Sequence, residues 1–167
     1  MDTEVFQSFD EFENIWKQLE DLKVPDGYET QLEFFYGYQV DQIRNLIAEW
    51  GKHYDFVLHV DSDIILPNDT LQKLISYDKD IVSGVYVQRN ENNTPEIFLD
   101  NPSTGGLDHA ILASLPHGLV QVGGCGFGCV LIKGEVYKTL EYPHFLYKSA
   151  IDHKHTISED TYFCQKA

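Results

Sequence analysis

The residues best suited to chemistry are two carboxylates spaced two apart in Asp61-Ser62-Asp63, directly after the apolar run Phe56-Val57-Leu58-His59-Val60. On an extended segment, alternate residues point to one side, so both carboxylates face a single ion. A buried strand would deliver them at its carboxyl end, where open α/β sheets hold their ligands. Two hard oxygen donors with room for water and phosphate oxygens suit Mg2+ or Mn2+. The pattern by itself is unspecific. With 15 Asp in 167 residues, about one such spacing arises by chance. The chain carries its own control in Asp78-Lys79-Asp80, which opens a strand beside a lysine and reads as a solvated turn.

A second acidic pair stands in Ser158-Glu159-Asp160. Serine at an N-cap with acids in the first turn is ordinary helix initiation. The same residues at a helix start lining a cleft would supply a general base for a hydroxyl. The cluster Gly123-Gly124-Cys125-Gly126-Phe127-Gly128 matches neither G-x-G-x-x-G nor a P-loop. It reads as a tight turn between strands, or as a place where a ligand approaches backbone closely. Cys125 and Cys129 read as small buried residues. His153 and His155 read as surface histidines close enough to the acidic pair to reach a phosphate or ion.

Several elements must position these groups. Phe9, Phe12, Ile15, Trp16 and Leu19 recur at helical spacing before Pro25-Asp26-Gly27. Thr30 to Tyr36 reads as a strand. A helix follows from about Tyr38 to Gly51, with Val40, Ile43, Ile47 and Trp50 on one face and Gly51 as C-cap. Asp55–Val60 reads as a central buried strand. Asn68 caps a helix bearing Leu71, Leu74 and Ile75, and Asp80–Val87 is another strand. Residues 89–108 form a long surface loop with a short strand at Glu96–Leu99. Cys129–Ile132 is strand-like, and a short helix runs from about Gly134 to Leu140. A last helix begins at Ser158. Helices alternating with strands imply an α/β domain with a largely parallel sheet. A chain that opens on one helix and closes inside another is expected to be a piece of a larger fold.

Composition excludes other classes. The chain holds 27 Asp+Glu against 12 Lys+Arg, a formal charge of −15, and no basic cluster for phosphate backbones or anionic membranes. Ten of the acids fall in residues 1–33, against Lys17 and Lys23, and read as a solvated helix face. No apolar run is long enough to span a bilayer. Three cysteines are too few for a disulfide scaffold. A soluble, cytoplasmic protein is expected.

The order of the motifs says more than any one of them. Gln42–Leu46, Phe56–Asp63 and Ile81–Tyr86, followed by Val122–Ile132 and Ser158–Cys164, resemble the ordered motifs of a GT-A-fold glycosyltransferase, closest to the family 2-like enzymes. The resemblance covers most of residues 30–167 and implies a single domain over 1–167. Its donor half would be about 1–90 and its acceptor half about 91–167, on a Rossmann-like, mostly parallel sheet flanked by helices. It implies a nucleotide-diphosphate sugar, UDP- or GDP-linked, and a glycan or other hydroxyl acceptor. Asp63 would ligate Mn2+ or Mg2+, Asp61 would contact the ribose or the ion's water shell, and Ser62 lies between them. Arg44 would lie near the donor. Asp160 would be the general base of an inverting transfer, and Glu159 would position the acceptor or hold the loop. The family's first strand, with its Pro-Thr-like turn for the nucleobase, has no equivalent before the first helix, and its metal-binding histidine downstream of the Glu-Asp pair has no counterpart. A sugar-1-phosphate nucleotidyltransferase would need a Gly-rich, Arg/Lys-bearing loop near its start, and none is present. A degenerate, non-catalytic module that binds a glycan or a partner is the alternative of another class.

Overall fold

The computed structural model describes residues 9–149 and 156–167. Asp2, Glu4, His153 and His155 lie outside the described residues. Helix α1 (Phe9–Glu20) is followed by α2 (Val40–Gly51), strand β1 (Phe56–Val60), α3 (Thr70–Ser76) and β2 (Ile81–Ser83). Then come β3 (Ile97–Asn101), β4 (Gly106–His109), β5 (Gly124–Cys125), β6 (Cys129–Lys133) and α4 (Gly134–Thr139). The short strands β7 (Lys148–Ser149) and β8 (Thr156–Ile157) precede α5 (Glu159–Lys166).

The expected mostly parallel, Rossmann-like sheet of the GT-A fold does not form. One three-stranded sheet has the order β1-β6-β2 and another the order β4-β3-β5, and every pairing among the described residues is antiparallel. Strands β1 and β2 do run in the same direction, but β6 lies between them and opposes both, with Val57 facing Ile132 and Val82 facing Leu131. The reason is physical. Cys129–Ile132 is an apolar run buried on both faces, and such a run carries no signal of strand direction. Thr30–Tyr36, expected as a strand, forms none. The strand expected over 80–87 is three residues long, continued by a single bridge from Val87 to Pro95.

The central sheet separates two apolar layers, as the two-residue period of a strand requires. Val57, Val130 and Ile132 face a layer containing Ala48 of α2, Tyr137 of α4, Phe127, Phe145 and Phe163. Val82, Cys129 and Leu131 face the other, with Leu66, Leu71 and Leu74. The first layer is dominated by rings. Phe145 and Phe163 stack at 4.6 Å, and Phe127 meets both edge-on at 5.1 and 5.3 Å. Each such ring contributes about 1.5–3 kcal/mol by leaving water. Helix α4 fits against α2 because position 134 is glycine: a Cβ there would collide with the Tyr54 carbonyl. No helix among the described residues is long and apolar enough to cross a membrane.

Candidate functional site

The site is assembled from three stretches of chain far apart in sequence: one face of α2, the turn after β1, and the first turn of α5. Arg44 and Asn45 lie on the buried side of α2 with Ala48 and Gly51. Asn45 fastens the helix to the segment before β7. Its Nδ2 donates to the Phe145 carbonyl at 2.7 Å, and its Oδ1 accepts from the backbone N–H groups of His144 and Phe145 at 2.9 and 3.1 Å. Every polar atom of a buried amide is thereby used, as burial demands.

Arg44 is the hub. Its side chain is 9% exposed, with Nη1 2.6 Å from Glu159 Oε1 and 3.5 Å from Asp160 Oδ2, and Nη2 3.6 Å from Asp61 Oδ1. The guanidinium lies 5.0 Å from the centre of the Phe127 ring. A cation over a ring face gains from the quadrupole in such a dry setting. Arg44 is therefore a buried link between carboxylates. Glu159 is almost sealed, and its second oxygen, Oε2, is buried without a hydrogen-bond partner. The Tyr147 hydroxyl faces this carboxylate. Its pKa is pushed up to about 12, by burial first, then by its hydrogen bond to Glu159 and by the Glu159 charge.

Asp61, Ser62 and Asp63 are all exposed at the carboxyl end of β1. They do not continue the strand as an extended segment. The Asp61 carbonyl accepts from the Ile64 N–H at 3.1 Å and closes a turn, while the Asp61 N–H donates to the Gly128 carbonyl at 3.2 Å. Partial burial holds the Asp61 carboxyl above the usual aspartate range. Arg44 opposes that shift, and the charges of Asp63 and Asp160 add to it. Like charges crowded together favour the neutral form or a bound cation. Asp63 pairs with a different cation: Arg89 Nη2 lies 3.5 Å from its carboxylate and donates to its carbonyl at 3.0 Å. The two carboxylates engage different arginines, and an ion shared by them would have to draw its remaining ligands from water and phosphate. No group of three or more His, Cys, Asp or Glu able to hold a metal exists among the described residues.

Ser158 caps α5, its Oγ accepting from the Thr161 N–H at 3.4 Å, and so aims the next two residues at Arg44. The control pair behaves as a surface turn, with Asp78 and Asp80 both paired to Lys133, at 2.9 and 3.1 Å. Cys125 and Cys129 are buried.

Tyr86 is a site residue that pattern reasoning missed. Its hydroxyl accepts from the Gly128 N–H at 2.8 Å. Burial, followed by the charges of Asp61, Glu96 and Asp160, raises its pKa against the relief of that hydrogen bond. Its ring explains two of the clustered glycines: a Cβ at 128 would stand 2.6 Å from Tyr86 Cζ, and one at 126 would strike the hydroxyl. Behind Tyr86 opens a cavity of about 800 Å3, lined by Leu74, Val82, Ser83, Val122 and Cys164 among others. The signal for Tyr86 was its place in the run Ile81–Tyr86, next to the glycine cluster in the fold but not in the chain.

No protein-family model matches the chain, and no curated protein matches it. Among solved structures, three chains match. One is the crystal structure of A197 from STIV, at 21% identity and a TM-score of 0.49, over 75% of this chain and 58% of that one. This chain thus spans less than two thirds of that protein's length.

Proposed function

We propose that the chain is a metal-dependent glycosyltransferase that moves a sugar, with inversion, from a UDP- or GDP-linked donor to a hydroxyl of a glycan or other acceptor. The observation that carries the reading is the convergence on Arg44 of Asp61, from the end of β1, and Asp160, from the start of α5. The transfer needs two sets of carboxylates side by side, one toward the donor diphosphate and one toward the acceptor. Asp61 and Asp160 are the candidates for the two roles.

Asp61 and Asp63 would hold Mn2+ or Mg2+, which when bound stabilises negative charge on the departing diphosphate. Asp160, 17% exposed, takes the proton of the acceptor hydroxyl as that oxygen bonds to the anomeric carbon. The electron pair of the breaking C–O bond leaves with the diphosphate. Arg44 ties Asp160 and Asp61 to one guanidinium. Phe127, Phe145 and Phe163 are sealed beneath them and keep water out from below. The cavity behind Tyr86 has the volume of a small-molecule site, but Arg44, Asp61, Asp63 and Asp160 do not line it, and the acceptor is not assigned to it. Three unpaired thiols at Cys125, Cys129 and Cys164 support a cytoplasmic setting.

The test is calorimetric binding of UDP and GDP, each with Mn2+ and with chelator, to this protein and to Asp63→Asn. Metal-dependent binding of one nucleotide, lost in the variant, is expected. A folded protein that binds neither nucleotide ends the proposal.

A further inference from the structure

We propose that Cys125 and Cys164 form a redox-active thiol pair, which a hydroperoxide oxidises to a disulfide joining β5 to α5. The pair is independent of the transfer reading above and needs only the two thiols and the cavity they line.

Packing brings the two together. Cys125 ends β5, which pairs with β3 so that Cys125 stands opposite Ile97. Helix α5 lies directly on β5: a Cβ at position 124 would sit 3.5 Å from Cys164 Cβ. Cys164 Sγ is 3.7 Å from the Cys125 carbonyl oxygen and donates to it. The two thiols also hydrogen-bond to one another. Thiols that already meet satisfy the first requirement of a disulfide, that the two side chains converge.

The third thiol is the internal control. Cys129 lies in β6, in the other apolar layer with Leu66, Leu71 and Leu74. Burial raises its pKa, a Gly84 backbone hydrogen bond relieves it, and neither other cysteine acts on it. All three cysteines line the cavity of about 800 Å3. The exposed side chains of Ile65, Val85 and Leu119 are also part of that wall, so the cavity opens to solvent and admits a molecule as small as a peroxide.

The two thiols take different roles. Cys164 is half-buried, whereas Cys125 is 4% exposed. The hydrogen bond from Cys125 lowers the Cys164 pKa against the effect of burial. The same bond, together with burial, raises that of Cys125. Cys164 is therefore the nucleophile and Cys125 the thiol that resolves it. The Cys164 thiolate attacks one oxygen of the hydroperoxide and the O–O bond breaks. That oxygen stays on sulfur as a sulfenic acid, and the other takes up a proton and leaves as water, or as alcohol from an organic hydroperoxide. The Cys125 sulfur then attacks the Cys164 sulfur. The S–S bond forms, the S–O bond breaks, and the hydroxyl departs with the Cys125 proton as water. Two electrons pass from the sulfurs to the peroxide, and a dithiol reductant returns them. The bond fixes α5 one helical turn after Asp160, whose charge acts on both thiols.

The experiment treats the folded protein with hydrogen peroxide, blocks the remaining thiols with N-ethylmaleimide, and maps the peptides by mass spectrometry before and after dithiothreitol. Wild type is expected to lose the mass of two hydrogens and to keep Cys129 as its one free thiol. It should yield a single cross-linked peptide pair, Cys125 with Cys164, that dithiothreitol separates. Cys129→Ser should behave as wild type. Cys125→Ser should stop at a sulfenic acid on Cys164, trapped by dimedone. Cys164→Ser should consume peroxide about tenfold more slowly or less. A folded wild type that keeps all three thiols free overturns the proposal. So does a link through Cys129, or cross-links formed only between chains. A sulfenic acid that persists on Cys164 in wild type overturns it too, because Cys125 then fails to resolve it. The wild-type map decides the matter even where a serine variant fails to fold. Every readout is a thiol or a mass, so none of these outcomes bears on the transferase reading.

Discussion

Arg44 Nη1 and Glu159 Oε1 stand 2.6 Å apart across 115 residues of chain, with side chains 9% and 4% exposed. The pair fastens α2 to α5, and with Asp61 and Asp160 as further partners of the same guanidinium it sets the spacing of the candidate site. Removing one member of a buried ion pair strands the other without water or partner, at a cost of about 3–5 kcal/mol. Arg44→Ala is expected to lose that much in urea unfolding. An apolar replacement of both, Arg44→Met with Glu159→Leu, should lose less than Arg44→Ala, because the most buried carboxylate is no longer stranded, while Asp160 and Asp61 lose a cation but keep access to water. A single variant within about 1 kcal/mol of wild type would show that water reaches this pair.

His59 carries a prediction in pH. Its ring is buried in β1, with Nε2 2.7 Å from the Tyr137 hydroxyl. Burial, assisted by the Arg44 charge, lowers its pKa from 6.5 to about 3. The unfolded chain therefore takes up this proton first. The contribution of His59 to stability is full above pH 6.5 and is lost as pH falls toward 3, by up to about 1.4 kcal/mol per pH unit. Urea titrations at pH 7 and pH 5.5 should reveal the decline. It should shrink in His59→Leu/Tyr137→Phe, which removes the titrating ring and its partner together. A decline of the same size in that variant would assign it to other groups.

Much of this arrangement was legible as elements and little of it as geometry. Helical periodicity located α2 to within two residues, and Ser158 identified the start of α5 by its capping chemistry. The Asp61–Asp63 pair was singled out by its place after an apolar strand, and Asp78 and Asp80, read as a solvated turn, are paired to Lys133 at the surface. Strand direction was not legible, because β6 is buried on both faces and reads alike whether parallel or antiparallel. Nor was the role of Arg44: a lone arginine on a helix reads as surface charge until the fold brings Glu159 to it. Tyr86 and Arg89 lie in a stretch read as strand and surface loop. Their contacts are with Gly128 and Asp63, 42 and 26 residues away.

Tyr86 and Gly128 form a unit that can be taken apart. Tyr86→Phe keeps the ring and leaves the Gly128 N–H without its acceptor, an expected loss of about 1 kcal/mol. Gly128→Ala puts a methyl group 2.6 Å from Tyr86 Cζ, so the ring must move, and overpacking of this kind costs about 1–3 kcal/mol. Because Asp61 hangs from the Gly128 carbonyl, Gly128→Ala should also weaken Mn2+ binding. Tyr86→Phe should not. Calorimetry and unfolding on the two variants check both statements, and equal metal affinity in the two would disconnect Tyr86 packing from the turn.

Asp160 and Asp63 should fail differently if they serve opposite ends of the transfer. Asp160→Asn keeps the shape of the side chain and removes its capacity to take a proton. Transfer is expected to fall by about 10²–10⁴, with donor diphosphate affinity held to within about threefold, since Asp160 touches no donor group in the proposed chemistry. Asp63→Asn should instead lose the metal-dependent affinity itself. Glu159→Gln is the informative third variant, because it leaves both carboxylates in place and weakens the grip of Arg44. Its loss should appear first as stability, and as rate only to the extent that Asp160 drifts from its position beside Asp61. If Asp160→Asn binds donor as poorly as Asp63→Asn, Asp160 belongs to the donor side through Arg44, and the proton must be taken by another group.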